Sequence, residues 1–487
     1  MPDRILLSEI SDHLPDGGRL EGVDTWITGV THDSRDVDPG DLFVAIPGEQ
    51  YDGHDYVARA IAAGAAAVIV ERHVECSSGI VVPSARSALP WAAAAVYGDP
   101  SHRMPVIGVT GTNGKTTVTH MLEQILVAAG RTTAIVGTVG ARIGDAERPV
   151  ARTTPEASDL QRLLAEMVDA GVDVAAIEVS SHALSLHRVD AIHFRVAAFT
   201  NLMQDHLDFH GDMEAYYTAK ASLFTADRAD HAVIVIDGDP GRRLAAATDV
   251  PVTTVALDRG ADVAASSITE SIDGSSFIIA TADRRFPVEL PIPGRFNVEN
   301  AMVAAATALE IGIDDASISR GLSSVGTIPG RFERIESDRG FGVIVDYAHT
   351  PDAIDAVIDS ALRMSEGRVI VVFGAGGDRD HEKRPAMGRA ASRADIAVLT
   401  SDNPRSENPA AIMQAVRSGM QQTNVMVEEP DRRAAIRHAL REARQDDLVL
   451  VLGKGHETGQ EVGGRIEPFD DRDVVADELK AIGEFAT

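Results

Sequence analysis

The stretch Thr110-Gly111-Thr112-Asn113-Gly114-Lys115-Thr116-Thr117 decides the fold of this chain. An apolar run at 105–110 before it predicts a buried strand, and a helical pattern begins near Lys115 and stops at Gly130. A glycine-rich turn between a strand and a helix presents backbone N–H groups and the positive end of the helix dipole to phosphate. In such a loop Lys115 reaches the outer phosphates and Thr116 binds magnesium, so the stretch predicts nucleotide binding.

Further apolar strands follow this loop along the chain. They are predicted at 172–179, 196–200 and 232–236, with helical stretches between them and a long helix at 298–311 after them. Alternating strands and helices around a phosphate loop are typical of a doubly wound parallel sheet. This part of the chain is therefore predicted to be a nucleotide-binding domain.

The length of 487 residues leaves room for about three domains. Polar, turn-rich segments at 97–103 and 329–331 predict the boundaries, which gives domains at 1–103, 104–329 and 330–487. The first reads as a small α/β domain with a strand at 41–46. The last alternates strands and helices and predicts a Rossmann-like parallel sheet. Its predicted strands are 342–346, 369–373, 396–400 and 448–452, and its predicted helices are 352–364, 384–394, 408–420 and 431–444. The fold class is α/β with three domains.

Composition excludes several functions. The net charge of −29 and the pI near 4.9 oppose a general affinity for nucleic acid or an anionic membrane. The start of the chain lacks the basic and apolar regions of a secretion signal, and the longest apolar run, 60–70, is too short to span a bilayer. The single cysteine, Cys76, excludes an internal disulfide. We expect a cytoplasmic protein.

Lysine is scarce in this chain. Only five of the 45 basic side chains are lysine, so arginine was used wherever a generic positive charge sufficed. A retained lysine is therefore a candidate for a role that requires a primary amine. Four of the five lie inside motif-like stretches: Lys115, Lys220, Lys383 and Lys454.

Two polar clusters follow predicted strands at the edge where ligands bind in doubly wound folds. Glu178 ends the strand at 172–179, and the segment 201–211 offers oxygen and imidazole ligands that include His206. Each has an ordinary alternative, because an acid at a strand end is often solvated and a lone histidine is often structural. The clusters are candidates for holding magnesium against phosphate.

Eight motifs in one order resemble those of the Mur ligases. They are TGTNGKTT (110–117), EVSSHAL (178–184), NLMQDHLDFHGDMEAYYTAK (201–220), GRFNVENA (294–301), VDYAHTP (345–351), GAGGDRDHEKRP (374–385), SDNPRSENP (401–409) and GKGHE (453–457). The resemblance covers nearly the whole chain.

The resemblance implies the partners of each domain. The first domain would bind the UDP end of a UDP-linked muramoyl-dipeptide, and the last would bind the incoming diamino acid, which the resemblance implies is meso-2,6-diaminopimelate. The residues in matching positions are His32, Ser34, Glu49, Gln50 and Tyr51 for the UDP end; Thr153, Thr154, Ser180 and Arg188 for the dipeptide; Asn297 and Asn300 for adenine; Arg331 and Asp346 for phosphate and ribose; and Arg384, Asp402, Asn403, Pro404, Arg405, Gly453 and Glu457 for the diamino acid.

The resemblance also implies the chemistry: ATP-dependent amide-bond formation through an acyl phosphate by a monomeric enzyme. Two magnesium ions are implied, one on Thr116 and Glu178 and the other on His206 and a carbamate formed on Lys220. A carbamate forms on a primary amine, which explains why arginine could not replace the lysine at position 220. The catalytic set is then Lys115, Glu178, His206 and Lys220.

Two alternatives stay open from the sequence. One is the same reaction with lysine or ornithine, or another ligase of this superfamily such as a folylpolyglutamate synthetase. The other is a P-loop switch that binds nucleotide and forms no bond. Phosphate release that requires both the UDP-linked precursor and the amino acid would exclude the switch.

Overall fold

The structure is a computed structural model that describes residues 4–48, 50–257, 260–421 and 425–484. Its three main sheets follow one another along the chain and have five, 11 and six strands in the described residues. Helices cover the sheets, so each sheet has its own apolar core. The predicted α/β class with several parallel-sheet domains is confirmed.

The first sheet is parallel except at one edge. Its central strand is Ala67–Val70, which is buried throughout because neighbours cover both faces. In sheet order the strands are Arg19–Gly22, Ser78–Val81, Ala67–Val70, Asp41–Val44 and Gly29–Thr31. A separate pair joins Ile5–Leu6 to Trp26–Ile27. The helices are Leu7–His13, Val57–Ala63, Ala85–Tyr97 and the 3₁₀ turn Gly53–Tyr56.

The central sheet brings the phosphate loop between two other strand ends. Val106–Thr110 pairs in parallel with Val174–Glu178 on one side and with Val196–Phe199 on the other. The carboxyl ends of all three strands therefore meet at one edge. In sheet order the strands are Ala146–Arg148, Gly140–Ile143, Thr133–Gly137, Val174–Glu178, Val106–Thr110, Val196–Phe199, Ala232–Val235, Val252–Ala256, Val263–Ser271, Gly274–Ala280 and Arg285–Leu290.

The two outer ends of this sheet were not predicted. Antiparallel hairpins extend it on both sides of the parallel centre. The helices of this region are Lys115–Ala128, Ala157–Asp169, Ser181–Ser185, Leu207–His210, Met213–Ala221, Asp239–Ala247, Arg295–Glu310 and Asp315–Ser323. Arg295–Glu310 begins three residues before the predicted 298, after Gly294 with a φ of 101°. This earlier start places Asn297 in the first helical turn.

The third sheet has five parallel strands and one antiparallel edge strand. In sheet order they are Glu333–Ile335, Gly342–Asp346, Leu448–Leu452, Val369–Phe373, Ile396–Leu399 and Val425–Glu428. The helices are Pro351–Met364, Lys383–Ala391, Pro409–Arg417, Arg432–Glu442 and Asp471–Glu484, and a hairpin joins Gly459–Val462 to Arg465–Pro468. The four strands and four helices predicted here all form, with ends shifted by a few residues.

The segment predicted as the first linker contains a helical turn, Pro100–Arg103. Proline suits the first position of a helix because its missing N–H would have no partner there. Pro100 and Ser101 are buried, so the connection is packed rather than extended. Among the described helices, none is long and apolar enough to cross a membrane.

Candidate active site

The conformation of the phosphate loop requires glycine at two positions. Gly111 has a φ of +147° and Gly114 a φ of +91°, values that side-chain-bearing residues rarely adopt. A Cβ on Gly111 would lie 1.9 Å from Thr200 Oγ1, and one on Gly114 would lie 2.3 Å from Asn300 Oδ1. The Thr200 hydroxyl donates to the Asn113 carbonyl at 2.6 Å. The loop is thus held against the next strand and leads directly into the helix that begins at Lys115, with Thr116 and Thr117 buried in its first turn.

Two lysines converge on one carbonyl of this loop. Lys115 Nζ donates to the Gly111 and Thr112 carbonyls, both at 2.9 Å, and Lys220 Nζ donates to the Gly111 carbonyl at 2.8 Å. Lys220 is 1% exposed and lies over the Tyr216 ring. Burial, and then the charge of Lys115, hold the pKa of Lys220 well below its ordinary value. Burial also lowers the pKa of Lys115, although the Glu178 carboxylate opposes that shift.

Glu178 ends its strand beside the loop, as predicted. Its Oε2 accepts hydrogen bonds from the Thr116 and Thr138 hydroxyls, both at 3.0 Å, and its Oε1 accepts the Thr138 N–H at 2.8 Å. The carboxylate is 1% exposed. Glu178 and Thr116 therefore present two oxygens to one point at the phosphate end, and magnesium binds oxygen ligands.

His206 follows the strand Val196–Phe199 and has a φ of +55°, a strained value for this residue type. Burial lowers the pKa of its imidazole to about 3 despite the neighbouring Asp205 carboxylate. The ring is therefore neutral, the form in which histidine binds metals. In the part of the chain that the structure describes, no group of three or more His, Cys, Asp or Glu side chains could hold a metal.

A cavity of about 470 Å³ joins the phosphate loop to the third domain. Arg331 crosses into it, where its Nη2 donates to Thr116 Oγ1 at 3.2 Å and its guanidinium stacks on the Tyr347 ring. Asp346 also lines it, but its two oxygens accept the N–H groups of Phe332 and Ala348. Its carboxylate thus holds the Arg331 loop in place.

The predicted adenine-side residues lie in the first turns of the helix Arg295–Glu310 and line the same cavity. Asn297 Nδ2 donates to the Pro293 carbonyl at 2.8 Å, and Asn300 Nδ2 donates to Asn297 Oδ1 at 3.2 Å. Between them lies Glu299, which sequence reasoning missed. The sequence feature that could have indicated Glu299 is an acidic residue between two asparagines, Asn297 and Asn300, at the start of a helix. Burial, and then the charge of Asp237, raise the pKa of Glu299 to about 7.

The predicted dipeptide residues surround Glu178. Thr153 Oγ1 lies 3.0 Å from Thr138 Oγ1, Thr154 Oγ1 donates to the Glu178 carbonyl at 2.7 Å, and the Ser180 N–H donates to Thr154 Oγ1. Thr153 and Ser180 line the cavity. Arg188 donates to the Thr154 carbonyl at 3.1 Å. The structure therefore brings this predicted set together beside the phosphate end.

Arg188 belongs to an arginine cluster whose other two members, Arg86 and Arg152, were not predicted from the sequence. Arg86, Arg152 and Arg188 all pair with Glu156, at 2.9, 3.1 and 2.9 Å. Three cations around one carboxylate leave a net positive charge, although the chain as a whole is acidic. Arginines far apart in the chain gave no local signal. Such a cluster attracts an anionic substrate.

The residues predicted for the UDP end lie in the first domain. His32 Nδ1 lies 3.1 Å from Ser158 Oγ of the central domain, and Ser34 is buried. Gln50 and Tyr51 are exposed. Glu49 lies outside the described residues. His32 thus links the first domain to the start of the helix Ala157–Asp169 in the central domain.

The predicted diamino-acid residues lie on two loops, at 402–405 and 453–457, and at the start of the helix Lys383–Ala391. Asn403 Nδ2 donates to Glu457 Oε2 at 2.7 Å, and buried Lys454 donates to both. Gly453 has a φ of +117°, and a Cβ there would lie 2.4 Å from Asp402 Oδ2. The Pro404 carbonyl accepts a hydrogen bond from the Glu407 N–H at 3.0 Å.

The two arginines of this set differ. Arg405 has a φ of +52°, is held by backbone bonds to the hairpin, and donates Nη1 to the Gly377 carbonyl at 2.7 Å. Arg384 is 4% exposed and donates to both oxygens of Glu407 at 3.0 and 2.7 Å. Its guanidinium is committed to the protein, so Arg384 orders the loops. Arg379 lies on the adjacent loop and is exposed. It was not predicted from the sequence as a residue of the diamino-acid site.

The fold and the site define a nucleotide-binding enzyme with a phosphate loop between α/β domains. Three family models match in order: "Mur ligase family, catalytic domain" at 26–106, "Mur ligase middle domain" at 109–308 and "Mur ligase, glutamate ligase domain" at 330–455. The chain belongs to the Mur ligase family.

Relatives match over almost the whole chain. Proteins of Syntrophomonas wolfei and Caldanaerobacter subterraneus, both called UDP-N-acetylmuramoyl-L-alanyl-D-glutamate–2,6-diaminopimelate ligase, are 42% and 45% identical. The first comparison covers 98% of both chains; the second covers 93% of this chain and 95% of its relative. A solved structure with the same name is 32% identical, has a TM-score of 0.71 and covers 99% of this chain and 100% of its own. The predicted family is confirmed.

The raised pKa of Glu299 predicts a pH-dependent stability. Its pKa lies above the unfolded value, so the folded state binds more protons between about pH 4.5 and 7 and loses stability as pH rises through that range. The free energy of unfolding of Glu299→Gln should therefore equal that of the unmodified protein near pH 5 and exceed it by about 1–2 kcal/mol at pH 8. Urea unfolding at both pH values measures this. The exposed Glu289→Gln is the control, and equal stability of Glu299→Gln and the unmodified protein at pH 8 would contradict the prediction.

Proposed function

We propose that this chain is an ATP-dependent ligase that joins meso-2,6-diaminopimelate to UDP-N-acetylmuramoyl-L-alanyl-D-glutamate during the synthesis of peptidoglycan precursors. Relatives that match along nearly the whole chain carry the name of that activity. The observation that carries the proposal is that Thr116, Thr153 and Ser180 line one cavity. The phosphate end and the predicted dipeptide side thus share one wall, as phosphate transfer to a carboxylate requires.

The reaction has two steps. A carboxylate is a poor acyl donor, so the D-glutamyl γ-carboxylate first attacks the γ-phosphate of ATP, which gives an acyl phosphate and ADP. The amine of the diamino acid then attacks the acyl carbon, phosphate leaves, and the amine loses a proton. Two anions must meet in the first step. Lys115 and Arg331 lie at the cavity wall beside Thr116 and offset that repulsion.

The residues at the phosphate end fit magnesium. Thr116 and Glu178 supply oxygen ligands 3.0 Å apart, and His206 supplies a neutral imidazole. Bound magnesium would neutralise phosphate charge as the two anions approach. Thr138 holds Glu178 in place through both carboxylate oxygens.

Lys220 fits carbamate formation. Carbon dioxide reacts with an uncharged amine, releasing a proton, and burial keeps Lys220 uncharged more readily than an exposed lysine. The product is an anionic oxygen ligand in place of a cation. It would also ease the repulsion between Lys220 and Lys115, which now share the Gly111 carbonyl. We propose that this carbamate and His206 hold the second magnesium.

Lys220→Ala tests this role. We expect kcat to fall about 100-fold or more, because a charge-neutralising ligand is lost, while nucleotide binding is retained. A small carboxylate such as acetate or propionate added in solution should restore part of the rate by filling the vacated space. Steady-state phosphate release with and without the carboxylate measures this, with the exposed Lys480→Ala as control. Full activity of Lys220→Ala without any additive would refute the carbamate.

The amino-acid site determines which diamino acid is used. Diaminopimelate differs from lysine by a carboxylate at its far end, and a buried carboxylate must be paired. Arg405 donates Nη1 to the Gly377 carbonyl, its Nε lies 3.4 Å from Glu461 Oε2, and its strained backbone is held by the hairpin. Among the described residues its Nη2 has no hydrogen-bond partner, so this nitrogen is the one proposed to bind the substrate carboxylate. Asp402 and Glu457 supply negative charge for the neighbouring ammonium group. Exposed Arg379 is a second cation on the adjacent loop.

Arg405→Ala should therefore lose activity selectively. We expect kcat/KM for meso-diaminopimelate to fall about 100-fold or more, and the unmodified enzyme to use lysine at least about 1,000-fold less well, because lysine lacks the carboxylate that the guanidinium would bind. Product mass spectrometry with ATP, the UDP-linked precursor and a panel of diamino acids measures both. Arg441→Ala, at an exposed position of the same domain, is the control. Comparable kcat/KM values for lysine and diaminopimelate in the unmodified enzyme would point to a different diamino acid.

We further propose that the enzyme acts as a monomer in the cytoplasm. The residues assigned to ATP, precursor and amino acid all come from one chain, so the proposed site needs no second copy. ATP and nucleotide-linked precursors are cytoplasmic compounds.

A further inference from the structure

A buried ion pair joins the central and third domains beside the cavity that contains the phosphate loop. Lys383 Nζ donates to Asp205 Oδ1 at 3.0 Å, across 178 residues of sequence. Each side chain is only 8% exposed. Beside it, Gln204 Nε2 donates to Asp380 Oδ2 at 3.2 Å, so two consecutive residues of one domain bind one loop of the other.

On the central side, Asp205 belongs to the loop that carries His206. That loop is fastened to the phosphate loop, because the Met203 N–H donates to Thr112 Oγ1 at 3.0 Å and Thr112 Oγ1 lies 3.2 Å from the Met203 carbonyl. Asp205 Oδ2 also lies 3.4 Å from His206 Nε2 and 3.6 Å from His349 Nε2. A change in the position of Asp205 therefore moves groups at the phosphate end.

On the other side, Lys383 begins the helix Lys383–Ala391 and is followed by Arg384. Arg384 binds Glu407 through both carboxylate oxygens and also donates to the Gly376 carbonyl at 3.2 Å. Arg405 donates to the Gly377 carbonyl from the neighbouring loop. Adjacent residues thus attach the amino-acid loops to one another and to the central domain.

We propose that Lys383 is a positioning residue whose ion pair with Asp205 seats the amino-acid loops over the phosphate loop, so that the amine reaches the activated carboxyl group. This role rests on the ligase function proposed above. Removing Lys383 takes away the cation that neutralises the buried Asp205 carboxylate, which then depends on the imidazoles of His206 and His349. Separation of the two domains would return that charge to water. The loss of the ion pair should therefore destabilise the arrangement in which the two domains are in contact, and not the folding of either domain.

Lys383→Met removes the charge and keeps most of the side-chain volume. We expect kcat/KM for the diamino acid to fall at least about 30-fold, because a buried charge pair is broken. The thermal unfolding midpoint should change little. Lys480→Met, the same change at an exposed position of this domain, should leave both unchanged. Lys383→Arg should restore part of the activity, since it keeps the charge.

A double-mutant cycle separates a coupled pair from two independent effects. If the two residues act as a pair, Asp205→Asn should lower kcat/KM for the diamino acid much less in the Lys383→Met background than in the unmodified enzyme. Activity of Lys383→Met equal to that of Lys480→Met, or fully multiplicative losses in the double variant, would overturn the proposal.

Hydrogen exchange provides a readout that does not depend on the reaction. In Lys383→Met with a nonhydrolysable ATP analogue, amides in 201–206 and 376–382 should exchange faster together, while the strand Val369–Phe373 keeps its protection. Unchanged exchange in both loops would overturn the proposal whatever the activity. If the unmodified enzyme forms no amide, the proposed function fails instead, and the exchange result still decides the role of Lys383. Asp205→Asn gives the same exchange test should Lys383→Met fail to fold.

Discussion

The carbonyl of Gly111 is the point on which the site depends. It accepts hydrogen bonds from both Lys115 and Lys220, and two ammonium groups so close together would repel each other. Burial relieves this by favouring the uncharged form of Lys220. The arrangement leaves Lys115 as the cation for phosphate and Lys220 as an amine available for chemistry. It exists because Gly111 adopts a backbone conformation that brings its carbonyl between the two helices that carry the lysines.

Charge is distributed unevenly in this acidic chain. With a net charge of −29, long-range attraction of anionic substrates is weak, so their binding depends on local groups. Arg331 and Lys115 supply positive charge at the phosphate end, and the cluster around Glu156 supplies it at the dipeptide side. Both groups lie next to Glu178, the acid on which the proposed magnesium site is built.

Features set by local sequence were predictable. The phosphate loop and the strands ending at Thr110 and Glu178 follow from a glycine turn between an apolar strand and a helix, and the structure has them within a few residues. The hairpin strands Gly274–Ala280 and Arg285–Leu290 were missed, although their alternating burial is a readable period-two pattern.

Other features depend on tertiary contacts and have no local signal. The commitment of Arg384 to Glu407, the Lys383–Asp205 pair and the convergence of arginines on Glu156 all join distant segments. The pKa of Glu299 likewise depends on burial that only the folded chain produces. For this reason sequence patterns indicated candidate site residues but not which of their side chains are already bonded to other parts of the protein.

The central claim is that the phosphate end converts a substrate carboxylate into an acyl phosphate before the amide forms. It is tested by labelling the D-glutamyl γ-carboxylate of the UDP-linked precursor with ¹⁸O, running the reaction with ATP and meso-diaminopimelate, and measuring the released phosphate by mass spectrometry. We expect each phosphate to carry one ¹⁸O from the carboxylate. Unlabelled phosphate accompanying amide formation would contradict it.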